Sequence, residues 1–203
     1  MRVVLDWDGT VTDRDTLELV IERFGDIATY RRTGILMGRS LGHDDALARS
    51  VATVRAPLTE AVNWLLATVR LRTGFHELAE RHRPLVVSSG FHELIDPILR
   101  RERVHVELLA NRVDARSDGW RIRFRERTCC DECGEPCKRA ALPAGEVVYV
   151  GDGYSDRCAA LAATRVFATG SLARYLEERA IAYETFDDLR DVVRMLSPEA
   201  HAR

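Results

Sequence analysis

A chain of 203 residues, 46% hydrophobic and 31% charged, has the balance of a globular protein with one main core and room for a small insertion. Its net charge of −2 argues against a general nucleic-acid binder, and no stretch approaches the ~18 consecutive apolar residues that a membrane-spanning helix needs. The apolar run Val3-Val4-Leu5 meets Asp6 and Asp8 at once, unlike a secretory leader, so a cytoplasmic protein with reduced cysteines is expected.

Residues 2–10 read as a short buried strand ending in a polar, glycine-containing loop. From about residue 15 to 72 the spacing becomes helical. Leu17, Val20, Ile21 and Phe24 form one stripe, Val62, Leu65, Leu66 and Val69 another, and residues 34–42 between them read as a loop or broken helix. Residues 75–82 read as a helix, 84–88 as a second buried strand, 91–102 as a helix and 104–109 as a strand. Residues 112–125 suggest a hairpin turning at Asp118-Gly119. A third core strand at 147–150 ends in Gly151-Asp152-Gly153. A helix (156–163), a strand (166–168) and two helices (172–179 and 187–196) follow. Strands alternating with helices predict an α/β fold with a parallel sheet. The expected organisation is an α/β core of residues 1–13 and 74–203, with residues 14–73 as a helical cap.

In open parallel sheets ligands bind beyond the carboxyl ends of the strands. Asp6 and Asp8, Ser88, and Asp152 with Asp156 all fall at such ends. Two carboxylates two residues apart can divide labour, Asp6 attacking phosphorus and Asp8 protonating the leaving oxygen and then activating water. Carboxylates beside a phosphate require positive charge. A Mg²⁺ held by Asp6, Asp152 and the backbone carbonyl of Asp8 would supply it, with Asp156 orienting a metal-bound water or Lys138. Lys138, Ser88 and nearby backbone N–H groups would complete the phosphate cradle. Lys138 also stands out by composition, because it is the only lysine among 30 basic residues. Arginine cannot reproduce its compact ammonium. The alternatives are ordinary ones: a capped turn for the first two acids, a helix N-cap for Ser88 and for Asp156.

Asp6-Trp7-Asp8-Gly9-Thr10, Ser88, Lys138 and Gly151-Asp152-Gly153-Tyr154-Ser155-Asp156 resemble, in order, the four motifs of the haloacid dehalogenase-like superfamily. The resemblance implies a Rossmann-like core, a Mg²⁺-dependent aspartyl-phosphate mechanism, and Asp6, Asp8, Asp152 and Asp156 around the metal. The second aspartate points to phosphatases and phosphotransferases, and the helical insertion resembles the C1-capped subgroup. Ser88-Ser89-Gly90-Phe91 resembles the phosphate-binding pattern of phosphoserine phosphatases. Asp15 stands where those enzymes use a glutamate toward the substrate amine. The run Cys130-x-x-Cys133-x-x-x-Cys137-Lys138 is more similar to phosphocholine and pyridoxal-phosphate phosphatases and to methionine-salvage phosphatases. Only 13 residues separate Lys138 from Asp152, so a helix there is expected to be cut short.

Cys129, Cys130, Cys133 and Cys137 lie within nine residues, and one pair has a zinc-like spacing. They are read either as a zinc site bracing the Lys138 loop or as reduced thiols packing that loop, and Cys158 as an ordinary buried helix residue. Asp15 and Arg39, with Arg31, Arg32 and His43, are candidates for the non-phosphate end of a substrate. Trp64 and Trp120 are read as packing residues. The expectation is a phosphomonoesterase acting on a small phosphorylated metabolite. A phosphotransferase or mutase using the same intermediate is the alternative, and a non-catalytic binding module a more distant one. Substrate and oligomeric state are left open.

Overall fold

The computed structural model describes residues 1–197. Among them, six strands form one sheet: β1 (Arg2–Leu5), β2 (Leu85–Phe91), β3 (Glu107–Asp114), β4 (Arg121–Arg123), β5 (Val147–Gly151) and β6 (Arg165–Ala168). Their order is β4-β3-β2-β1-β5-β6, parallel throughout except for β4, which runs antiparallel to β3 at the edge. Strands covered on both faces need apolar side chains at every position. Alternation along each strand then divides these side chains between two cores. Val3, Leu5, Val86, Val148, Val150 and Phe167 enter one. Val4, Leu85, Val87, Val147, Tyr149 and Val166 enter the other.

The helices are α1 (Thr16–Phe24), α2 (Ile27–Leu36), α3 (His43–Val51), α4 (Leu58–Thr68), α5 (Phe75–His82), α6 (His92–Arg101), α7 (Arg157–Ala162), α8 (Gly170–Glu177) and α9 (Leu189–Leu196). The stripes of α1 and α4 join the same core as α5, α6 and α9. Thus the segment between β1 and β2 shares an apolar core with the sheet. Asp15 caps α1 by accepting from Glu18 N–H at 2.8 Å, and Asp26 caps α2. Trp120 is fully buried, its indole N–H donating to Ala56 O at 2.9 Å.

Several boundaries differ from expectation. The α2 helix continues through Gly34 to Leu36. The expected strand at 104–109 and the first arm of the hairpin are one strand, β3, and β2 extends past Ser88 to Phe91 with an irregular register between Val87 and Phe91. A sheet neighbour can hold polar residues in a strand whose own pattern would stop earlier. The helical structure between Lys138 and Asp152 is cut to a short 3₁₀ turn, Lys138–Ala141, ahead of β5.

Candidate active site

The strand order reverses at β1, which lies between β2 and β5, and such a switch point opens a crevice at the carboxyl ends. Asp6 follows β1 directly, its N–H donating to Val150 O at 2.9 Å and so extending the ladder by one residue. Trp7 is fully buried edge-on against Phe75, while its neighbours Asp6 and Asp8 both line the crevice. The chain then turns, with Val11 and Thr12 N–H both donating to Trp7 O. Gly9 sits in this turn at φ +78°, and a Cβ there would lie 2.5 Å from Asp152 Oδ2. Conformation and space both require glycine there.

Lys138, 3% exposed, reaches into this crevice from the 3₁₀ turn. Its Nζ donates to Asp6 Oδ1 and, at 2.7 Å, to Asp156 Oδ1. Asp156 is fully buried. Its Oδ1 also accepts from Tyr149 OH at 2.7 Å, and its Oδ2 from the N–H groups of Asp152 at 3.0 Å and Gly153 at 2.9 Å. A carboxylate has about four lone-pair sites, and all those of Asp156 are taken. Asp156 therefore holds Lys138 and the glycine loop, beside the Asp6 and Asp152 carboxylates.

Asp152 Oδ1 accepts from Thr10 Oγ1 at 2.8 Å. Asp8 Oδ1 accepts from Thr16 N–H at 2.7 Å and Thr16 Oγ1 at 2.5 Å. Asp8 Oδ2 faces Gly90, where a Cβ would come within 3.1 Å of it. Carboxylate oxygens of Asp6, Asp152 and Asp156 lie within 4.8 Å of one another, and the Asp8 side chain is outside that group.

Electrostatically the site is short of positive charge. Burial, then the Asp156 carboxylate, pushes Asp6 well above the usual carboxylate range against the opposing pull of Lys138. Burial, then Asp15, lifts Asp8 to about 7, although the Thr16 bonds hold it down. Burial, then Asp156, lifts Asp152 to about 6. Lys138 moves upward: burial works against its charge, and Asp156 and Asp6 more than compensate. One buried ammonium among these acids leaves a surplus of negative charge that a divalent cation would neutralise. The oxygen-only donor set, with Asp152 Oδ2 free of protein donors and a second lone pair on Asp6 Oδ1 beside Lys138, fits Mg²⁺.

Ser89 and Gly90 line the crevice, a cavity of about 200 Å³, as do Asp6, Asp8, Lys138 and Asp152. Ser88 is buried behind it, and its Oγ accepts from Gly90 N–H at 2.8 Å. The opposite wall comes from the helical segment between β1 and β2, including Leu17, Tyr30, Met37, His43 and Leu47. Asp15 lines the cavity too, and it accepts from Tyr30 OH at 3.2 Å as well as capping α1. Arg39, in the connection after α2, is exposed and does not line the cavity, and Arg31 and Arg32, on the solvent side of α2, do not either.

The cysteine grouping is corrected. Cys129 is exposed and outside the sulfur cluster, while Cys158 on α7 joins Cys130, Cys133 and Cys137 within 4.8 Å. Sequence proximity favoured Cys129, but only the fold brings α7 against the loop. Thr16, Tyr149 and Tyr30 also escaped the sequence reading, since a threonine in a helix start and tyrosines in apolar patterns carry no local signal. Thr10 had a signal, because it closes the first acidic motif.

The haloacid dehalogenase-like hydrolase pattern matches residues 3–161, and the chain belongs to that family. Among curated proteins it is similar to 2-hydroxy-3-keto-5-methylthiopentenyl-1-phosphate phosphatase of Bacillus cereus, at 23% identity covering 95% of this chain and 94% of the relative. The protein of the same name from Bacillus thuringiensis is 24% identical with the same coverage. Among solved structures, a substrate-bound phosphoserine phosphatase superposes with a TM-score of 0.72 at 17% identity, covering 97% of this chain and 98% of the other. A phosphoserine phosphatase from T. onnurineus gives 0.69 at 20% identity, covering 96% and 92%.

Proposed function

We propose that this chain is a Mg²⁺-dependent phosphomonoesterase that hydrolyses a small phosphorylated metabolite through an aspartyl-phosphate on Asp6. The observation that carries this reading is the division of partners at the two first-motif acids. Lys138 occupies Asp6 Oδ1, leaving Oδ2 free to attack phosphorus. Thr16 fixes Asp8 Oδ1, leaving Oδ2 facing Gly90. At about 7, Asp8 has an affinity suited to giving its proton to the leaving oxygen and then taking one from the attacking water.

Lys138 and Ser89 face the phosphoryl oxygens, and Ser88 fixes that loop by accepting the Gly90 N–H. Mg²⁺ bound by Asp6, Asp152 and the Asp8 backbone carbonyl supplies charge neutralisation for the phosphate. Asp156 holds Lys138 in place. The helices of residues 14–73 act as the cap, closing the non-phosphate end. A cytoplasmic location belongs to the same reading, and any zinc at the cysteine loop would be structural.

The cavity wall also bears on the substrate. Its only basic side chains among the described residues are His43 and Lys138, and Lys138 is engaged by two acids. A substrate carboxylate such as that of phosphoserine would find no free guanidinium there. Leu17, Met37 and Leu47 instead suit an uncharged, partly apolar tail. The methylthiopentenyl phosphate in the names of the Bacillus relatives has such a tail. Phosphate release from that compound, phosphoserine, phosphocholine and sugar phosphates, assayed side by side with magnesium, tests the reading. The highest kcat/KM is expected for an uncharged, apolar ester, and a preference for phosphoserine contradicts it.

A further inference from the structure

Four sulfur atoms stand apart from the reacting groups. The Sγ atoms of Cys130, Cys133, Cys137 and Cys158 lie within 4.8 Å of one another. Three belong to the loop that ends at Lys138. The fourth is on α7, two residues after Asp156. The loop doubles back on itself: Cys130 N–H donates to Glu135 O at 3.0 Å, Gly134 N–H to Cys130 O at 2.8 Å, and Gly134 adopts φ +71°.

Packing of neutral thiols does not account for the loop. Between Cys130 and Lys138 its other residues are Asp131, Glu132, Gly134, Glu135 and Pro136, which supply almost no apolar surface, and Cys133 is exposed. A segment this poor in core material needs another tie. Charge points the same way. A divalent metal with four thiolates carries a net charge of −2, and the adjoining cavity is lined by Arg125, Arg127, Arg157 and Arg179 against two carboxylates, Glu132 and Glu135. An all-sulfur donor set selects zinc over magnesium. Tetrahedral Zn–S bonds of about 2.3 Å set S···S distances of about 3.8 Å, inside the 4.8 Å that bounds this cluster.

We propose that Cys130, Cys133, Cys137 and Cys158 bind one structural zinc ion as thiolates, and that this ion clamps Lys138 against Asp156. Binding releases the thiol protons to solvent and involves no oxidation. Cys137 precedes Lys138 and Cys158 follows Asp156 closely, so the metal ties together both ends of that buried ion pair without touching the reacting atoms.

Untagged protein purified under reducing conditions without chelator provides the test. Elemental analysis is expected to find near-stoichiometric zinc in the wild type. Cobalt exchanged into it is expected to give intense thiolate-to-metal charge-transfer absorption with tetrahedral ligand-field bands, a signature the carboxylate site cannot produce. Cys158→Ser should lose that metal and Cys129→Ser should keep it. Zinc well below stoichiometry together with no cobalt–thiolate absorption overturns the proposal, and so does equal loss of metal in Cys129→Ser and Cys158→Ser. The wild-type cobalt spectrum decides the matter even if Cys158→Ser fails to fold. Asp152→Asn should retain zinc, so failure of the phosphatase reading and failure of this one are separable.

Discussion

Lys138 Nζ donates to Asp156 Oδ1 at 2.7 Å while every other acceptor position of Asp156 is filled by Tyr149, Asp152 N–H and Gly153 N–H. Asp156 is thus a fixed anchor, and the lysine is the part that reaches the chemistry. Asp156→Asn would turn an amide toward at least one donor and leave a buried ammonium half paired. Breaking one partner of a buried ion pair destabilises by about 3–5 kcal/mol. A clear fall in Tm with loss of kcat is expected, measured by thermal melting and by phosphate release; a wild-type Tm and rate contradict the anchoring role.

Lys138→Arg preserves the charge but replaces a point ammonium, buried between Asp6 and Asp156, with a larger planar fork that cannot repeat both contacts. We expect kcat to fall by at least about 100-fold, the scale of losing a positioned electrostatic group. A rate within a few-fold of wild type would mean that charge alone suffices.

Thr16→Val removes one of the two hydrogen bonds that hold the Asp8 pKa down. The remaining burial and the Asp15 charge then raise Asp8 further above about 7. The pH–rate profile should shift toward higher pH. An unchanged profile removes Asp8 as the titrating group.

Legibility followed locality. Asp6, Asp8, Asp152 and Lys138 were readable because each carries its own signal: acids at the ends of apolar runs, and a lone lysine in a chain of arginines. The parallel sheet was readable because fully buried strands are apolar at nearly every position. Thr16 and Tyr149 were not, since their partners Asp8 and Asp156 are met only after the chain turns or the strand is seated. Cys158 shows the same limit across a longer distance, for nothing near it in sequence announces the loop it meets. Arg39 illustrates the opposite case: charge made it a candidate, and the connection after α2 leaves it exposed and outside the cavity lining.

Magnesium binding should depend on pH. In the metal-free site burial raises both ligand carboxylates, Asp6 well above the usual range and Asp152 to about 6. Folded-state pKa values above the usual carboxylate value favour folding at low pH, and that contribution is lost as pH rises from about 4 through these values. A cation binds the deprotonated forms, so it restores most where the loss is complete. The magnesium-induced rise in Tm is expected to be small near pH 5 and larger near pH 7.5, in roughly the order set by this linkage. An equal rise at both pH values contradicts the carboxylate assignment.

The central claim is that Asp6 carries the phosphoryl group. The turnover rate of Asp6→Asn on p-nitrophenyl phosphate with magnesium, in protein whose melting shows it folded, tests this most directly. The account predicts a loss of at least about a thousandfold, as for removal of a nucleophile. Retention of a rate near wild type would contradict it.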